Sequence, residues 1–296
     1  MKSGTSYLWD LLSSHPSIFM CPFKEPSYFV DQSQLQKFSY DIWASGHWKS
    51  KEDYLRLFRS AGTATILGEA SVCYSHLPFF LGVPERISKF NPDARLIYVM
   101  RDPIERTISH YWERVRSNGE YRLPLDAIKN DPLYRDVSYY AMQLLPYFER
   151  FSRDQIRLLT FEEMISNPSE VIGSIFRWLN LDASVVTSKN PEARNTTPEL
   201  ISQPILSGAL HRLWHENRLF RLAVDCVPIS VRKVGSRMVR QQKSRLDVDT
   251  SEVVQYLRPL QQRQTQELTE LIGREFPEWT TLSGTGSSAG AAVGVF

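Results

Sequence analysis

With 296 residues, 42% of them hydrophobic and 23% charged, the chain has the composition of a globular protein large enough for one sizeable α/β domain. A formal net charge of +2 is too small to argue for nucleic acid as a partner, although a local basic patch could still serve an anionic ligand. Three cysteines, Cys21, Cys73 and Cys226, have neither Cys-x-x-Cys spacing nor an even count, which argues against a disulfide or metal framework.

The first element is announced by Lys2-Ser3-Gly4-Thr5-Ser6 running into Tyr7-Leu8-Trp9-Asp10-Leu11-Leu12. A small, hydroxyl-rich loop with one lysine that opens directly into a helix offers backbone N–H groups and the positive end of a helix dipole to an anion. The lysine precedes the glycine, whereas the common nucleotide loop, G-x-x-x-x-G-K-S/T, places it after. An ordinary ATP or GTP loop is therefore a poor match. The same five residues also suit a plain N-cap, and only a second phosphate site can separate the two readings. A loop of this kind normally leaves a buried strand, yet only Met1 precedes Lys2; the expectation is that a first strand, and any targeting segment with it, lies upstream of the given start.

His15-Pro16 ends the helix, and Ile18-Phe19-Met20 leads to Lys24-Glu25-Pro26-Ser27-Tyr28-Phe29. From Asp31 to Gly62 the chain is aromatic-rich, with Trp43, His47, Trp48, Tyr54 and Phe58 around short helices; these rings either line an acceptor pocket or pack over a sheet. Thr65 to Glu69 reads as a buried strand ending in the turn Ala70-Ser71. A short helix over Pro84 to Phe90 follows, with proline in its first turn.

Arg95 to Met100 is the clearest strand, a nearly continuous apolar run suited to a parallel sheet covered on both faces. It delivers Arg101-Asp102-Pro103, with Asp102 as N-cap, Pro103 at N1 and Glu105 at N3 in a capping-box start. Ile104, Ile108, Tyr111, Trp112 and Val115 recur at helical spacing as the core face, and Ser109 lies off that stripe. An arginine at the carboxyl end of a central strand sits where open α/β sheets bind ligands, and its fork suits phosphate.

Ser138 to Phe151 is an amphipathic helix with Tyr140, Leu144, Leu145 and Phe148 inward, Ile156 to Thr160 a strand, and Pro168 to Leu181 a helix with Val171, Ile175, Phe176 and Leu179 inward. This alternation predicts a three-layer α/β/α architecture with a central parallel sheet. Asn195-Thr196-Thr197-Pro198 is a turn that also matches a glycosylation sequon. Helices are expected over 205–222 and from Val253 to Phe276, the latter kinked or split at Pro259. The basic residues Arg232, Lys233, Arg237, Arg240, Lys243 and Arg245 form either a solvated face or a contact for an anionic cofactor, acceptor or membrane headgroup. Residues 1–282 are read as one domain and 283–296 as a disordered, glycine-rich tail. No apolar run of eighteen residues and no leader pattern is present, so a cytoplasmic location is expected, with the Golgi lumen as the alternative if an anchor lies upstream.

Taken together, the two anion sites resemble those of the sulfotransferases that use 3′-phosphoadenosine 5′-phosphosulfate (PAPS). Lys2 to Ser6 looks like that family's 5′-phosphosulfate loop, and Arg101-Asp102-Pro103 with Ser109 like its 3′-phosphate motif, in which a serine follows the arginine by eight residues. The likeness continues through Leu12, His15-Pro16, Lys24-Glu25-Pro26, Tyr28-Phe29, Gly68-Glu69-Ala70-Ser71, Phe161-Glu162, Asn167-Pro168, Phe176 and Leu179, roughly residues 2 to 200. The resemblance implies a P-loop-like fold and transfer of a sulfuryl group to an acceptor hydroxyl of a saccharide, lipid or secondary metabolite, without a metal. It implies that Lys2 stabilises the leaving phosphate, that Ser3, Gly4, Thr5 and Ser6 hold the phosphosulfate, and that Arg101 and Ser109 bind the 3′-phosphate.

Glu25, in a context like that of the glycan-modifying branch, is then the candidate general base. A structural ion pair with Lys24 or with an arginine is its other reading. His76 and His110 are the fallback, by likeness to the histidine of the small-molecule branch, with His110 and His15 read as structural. Two departures stand out. Ala70 occupies a position where several glycan sulfotransferases carry a second lysine, and no copy of the glycine- and lysine-rich loop that closes over PAPS is evident. A P-loop kinase or nucleotidase, and a non-catalytic nucleotide- or glycan-binding relative, are the competing readings.

Overall fold

The computed structural model describes residues 2–38, 49–117, 120, 122–185, 200–204 and 240–284. Trp43, His47, Trp48, the turn at Asn195, the helix expected over 205–222, Cys226, Arg232, Lys233, Arg237 and residues 285–296 lie outside them.

Helix α1 (Thr5–Leu12) buries Tyr7, Leu8, Leu11 and Leu12 and stops before the His15-Pro16 turn. Strand β1 (Ile18–Met20) pairs in parallel with β2 (Ile66–Gly68), Ile18 opposite Ile66. Between them run α2 (Gln32–Phe38) and α3 (Lys51–Arg56). The described aromatic residues of this stretch pack rather than line an opening: Tyr54 is buried with Phe29 and Phe80, and Tyr28 stacks on it at 4.2 Å.

Helix α4 (Val83–Phe90) leads to β3 (Leu96–Met100), α5 (Pro103–Ser117), α6 (Pro124–Asn130), α7 (Leu133–Asp136) and α8 (Tyr140–Phe148). Strand β4 (Ile156–Thr160) then pairs in parallel with β3 over all five residues. Thr160 caps α9 (Phe161–Ser166) in a reciprocal box with Glu163, and α10 (Pro168–Trp178) follows with proline in its first turn. Antiparallel strands β5 (Leu200–Pro204) and β6 (Arg240–Ser244) precede α11 (Ser251–Ile272) and α12 (Thr280–Ser283). Helix α11 runs as one element through Pro259 and is not split there.

The architecture is α/β, with its parallel strands in two ladders, β1 with β2 and β3 with β4. No described strand runs between β2 and β3, and the central residue of β2, Leu67, is 54% exposed. Packing joins the ladders where hydrogen bonds do not. Ile18 and Met20 of the first, and Leu159 of the second, are buried with α1 and with Ile172, Ile175 and Phe176 of α10.

A second core gathers α5, α8 and α11, with Met100, Ile104, Trp112, Leu144, Leu257 and Trp279 among its buried members. The α5 stripe agrees with its sequence spacing, Ile108 being only partly buried. In α8 the inward set is Tyr140, Leu144 and Tyr147, while Leu145 is 48% exposed. Positions 140, 144 and 147 lie on one helical face, and 145 falls off it. Among the described residues no helix is long and apolar enough to cross a membrane.

Candidate active site

Gly4 stands at the N-cap of α1 with φ 79, and no side chain caps the helix. A plain capping role for the hydroxyls around it is therefore not what the loop adopts. Lys2 is itself left-handed, with φ 65. The bend is held from below: a Cβ on Gly4 would lie 2.6 Å from Phe161 Cδ2 and 2.7 Å from Met164 Cε, so only glycine fits against α9. Ser3 is buried at the base of the loop.

Strand β3 brings Arg101 to the same place. The Tyr140 hydroxyl donates to the Arg101 carbonyl at 2.7 Å and accepts from its N–H at 3.2 Å, so both backbone groups of Arg101 are fixed. Its guanidinium lies 5.0 Å over the Phe161 ring and donates to the Lys2 carbonyl at 3.3 Å. The loop and the strand end thus meet directly, across 99 residues of sequence.

Asp102 caps α5 by accepting from the N–H groups of Ile104 at 3.0 Å and Glu105 at 3.3 Å, as the sequence suggests. The return bond of a capping box is absent. Glu105 turns instead toward Arg101, at 3.6 Å, and Thr281, while the Asp102 N–H donates to Glu162 at 3.0 Å. A second oxygen of Asp102 accepts from the Leu282 N–H, which leaves this carboxylate buried and bonded on both sides.

Along α5, Glu105, Ser109 and Glu113 recur every fourth residue and form one ridge. Arg101 engages Glu105 at one end, and Lys2 engages Glu113 at the other, 3.2 Å away. Ser109, half-buried, lies between them, so Lys2, Ser109 and Arg101 share one side of the helix. Burial lowers the Lys2 ammonium below its ordinary range, against the pull of Glu113. Burial raises the Glu113 carboxyl, but Arg116 and Lys2 more than offset it and carry it below its usual value.

Glu25 occupies a different wall. It is left-handed, φ 62, as is Ser27, φ 55. Its carboxylate accepts from the Val72 N–H at 2.6 Å, and its own N–H donates to the Ala70 carbonyl at 3.0 Å. Burial raises its carboxyl above the ordinary range, with the Val72 bond and Lys24 opposing. The Lys24 ammonium lies 5.7 Å over Trp9 of α1, which ties this loop to the helix that Lys2 to Ser6 open.

The histidines are placed as framework. His76 and His110 are buried, and burial drives both far below the usual imidazole range, so each is neutral. His15 accepts from the Ser17 N–H at 3.1 Å, with its other nitrogen 3.3 Å from the Asp182 carbonyl. Glu113 is not singled out in the sequence, Tyr140 is read there only as core and Glu162 only as part of the family likeness, yet all three shape the site. Their partners lie 39 to 111 residues away, so no local pattern signals them.

The loop of Lys2 to Ser6, the arginine at the strand end and Ser109 between them offer the donors and charge that two phosphate-type groups need. A profile described as the sulfotransferase family matches residues 1–184. Carbohydrate sulfotransferase 15 of Mus musculus is 26% identical over 265 residues, covering 67% of this chain and 46% of that protein. Heparan sulfate glucosamine 3-O-sulfotransferase 3B1 of Mus musculus is 24% identical over 206 residues, covering 64% and 46%. The chain therefore spans less than half the length of these curated relatives. The crystal structure of a sulfotransferase from Alicyclobacillus acidocaldarius has the same fold, with a TM-score of 0.67, 22% identity and 94% of each chain covered.

Proposed function

Since the chain belongs to the sulfotransferase family, we propose that it moves a sulfuryl group from PAPS to an acceptor hydroxyl and releases adenosine 3′,5′-bisphosphate. The observation that carries this reading is the meeting of Lys2 and Arg101 along the ridge of α5. One cation comes from a loop that opens a helix and the other from the end of a strand, as a ligand with two separated phosphate groups requires.

Bound PAPS supplies an activated sulfate whose bridging oxygen leaves with the phosphate. The chain's own residues do the rest by position and charge. Ser3, Gly4, Thr5 and Ser6 present N–H groups and hydroxyls to the phosphosulfate, and Lys2 stabilises the charge that gathers on the leaving oxygen. Arg101 and Ser109 take the 3′-phosphate. Glu25 accepts the acceptor's proton as its oxygen bonds to sulfur; a carboxyl raised by burial is better suited to this than an ordinary one. The names of the relatives favour a saccharide acceptor over a lipid or secondary metabolite.

The test is incubation with PAPS and a mixed set of desulfated glycans, lipids and phenols, with release of adenosine 3′,5′-bisphosphate as readout. Lys2→Ala and Arg101→Ala are each expected to lower the rate by at least about a hundredfold. Unchanged rates in both would remove the site assignment, and magnesium-dependent turnover of ATP would replace the reading with a kinase or nucleotidase.

A further inference from the structure

Glu69 ends the turn from β2 and has no role in the scheme above, yet its carboxylate is one of the most heavily bonded groups near the site. Tyr74 donates to it at 2.6 Å, Ser71 at 2.9 Å and Tyr54 at 3.4 Å. The residue as a whole is half-buried, and its carboxylate is held by these three hydroxyls. The same hydroxyls reach across to the loop that bears Glu25. Ser71 Oγ accepts from the Ser27 N–H at 2.9 Å, and the Tyr74 hydroxyl accepts from the Phe29 N–H at 3.4 Å. Cys73 Sγ donates to Ser27 Oγ at 3.0 Å, and Val72, between them, holds the Glu25 carboxylate itself.

Glu25 and Ser27 both hold a left-handed backbone, which is strained for a non-glycine residue. Such a loop persists only when its surroundings over-determine it. Here the surroundings are the segment Ala70 to Tyr74, and Glu69 is the acceptor on which two of its hydroxyls are anchored.

We propose that Glu69 is the positioning residue of the Glu25 base, anchoring through Ser71 and Tyr74 the left-handed loop that aims the Glu25 carboxylate. The inference rests on Glu25 being the base.

A second consequence is electrostatic. Two carboxylates in one enclosed region resist double ionisation and titrate as a pair. Burial pushes the Glu69 carboxyl up to about 7, with the Tyr74 and Ser71 hydroxyls opposing and the charge of Glu25 adding to it. Among the described residues, the other titratable groups facing the pair are Cys21, Cys73, Tyr54, Tyr74 and Tyr147, all raised by burial and neutral at pH 7, and the cation Lys24. Ionised Glu69 therefore makes Glu25 hold a proton more tightly and act as a stronger base.

The experiment is a side-chain carboxyl titration by NMR on protein carrying carbon-13-labelled glutamate, with wild type, Glu69→Gln and Glu25→Gln. In Glu69→Gln the Glu25 midpoint is expected to move to lower pH and its curve to become a single step. In Glu25→Gln the Glu69 midpoint is expected to fall below about 7, a reciprocal result that remains available if Glu69→Gln does not fold. Turnover of the acceptor found in the PAPS screen is expected to drop about 10–100-fold in Glu69→Gln, with affinity for adenosine 3′,5′-bisphosphate within about twofold of wild type.

Independent titration of the two carboxyls, or wild-type turnover in Glu69→Gln, would overturn the proposal. The base assignment is judged separately. If Glu25→Gln keeps full turnover, that reading fails whatever the titrations show; if Glu25→Gln is inactive while Glu69→Gln turns over normally, only the role of Glu69 fails.

Discussion

The Lys2–Glu113 ion pair makes a quantitative prediction. Any ligand that needs the Lys2 ammonium must compete with a carboxylate 3.2 Å away, and must also approach that carboxylate's negative charge. Coulomb's law at an effective dielectric of about 20 gives about 5 kcal/mol for a pair at this distance, which is an upper figure. Two features reduce it. The Glu113 side chain keeps 21% of its exposure, and Arg116 shares its charge at 2.7 Å. A net cost of about 1–2 kcal/mol to ligand binding remains, equivalent to about 5–30-fold in affinity.

Glu113→Gln keeps the shape of α5 and removes the charge. Isothermal calorimetry with adenosine 3′,5′-bisphosphate at fixed ionic strength is therefore expected to show about 5–30-fold tighter binding in the variant. The gap to wild type should narrow as salt is added. Unchanged or weaker binding would refute the reasoning, because it would mean that Glu113 aims Lys2 at the ligand rather than withholding it.

Two further outcomes follow from the geometry. Gly4→Ala places a Cβ within 2.6 Å of Phe161 at φ 79, so a loss of about 2–4 kcal/mol in urea unfolding is expected, together with loss of nucleotide binding. A midpoint equal to wild type would show that the loop does not sit on α9. Glu69 predicts a pH dependence of stability. Its carboxyl stands at about 7 in the folded chain against an ordinary 4.5, so its protonated form favours the fold. Its contribution is present in full below about pH 4.5 and is lost as the pH rises through 7, by at most about 3 kcal/mol. Between pH 5 and 8 wild type should lose more stability than Glu69→Gln; parallel curves would contradict the raised carboxyl.

Local signals carried much of this structure. The apolar run ending at Met100, Asp102 before Pro103, and Ile156 to Thr160 each announce their element within a few residues, and each lies where expected. The loop that opens α1 was legible for the same reason, since hydroxyls, glycine and a helix start are adjacent in sequence. What it could not disclose is pairing at a distance. The partner of the Asp102 N–H is Glu162, and the counter-ion of Lys2 is Glu113; a charge on a helix surface looks alike whether it faces water or a ligand site. The division of the parallel strands into two ladders was equally hidden, because strand patterns state burial but not neighbours. In α8 the phase of the buried face depends on Tyr147 reaching the Tyr74 carbonyl, 73 residues away, which moves the inward side off Leu145.

That same bond gives the left-handed loop a wider meaning. Tyr147 holds Tyr74, Tyr74 and Ser71 hold Glu69, and Ser71 and Val72 hold the loop of Glu25. The proposed base is thus held by way of α8, through the segment Ala70 to Tyr74, while its own backbone is left-handed. With Glu25 as the proposed base, stability and turnover are opposed at this position. Glycine or asparagine at 25 would suit the left-handed backbone better and would delete the carboxylate. Selection for robustness alone would drift toward an intact fold without the carboxylate, and the proposed chemistry is what would keep a glutamate there.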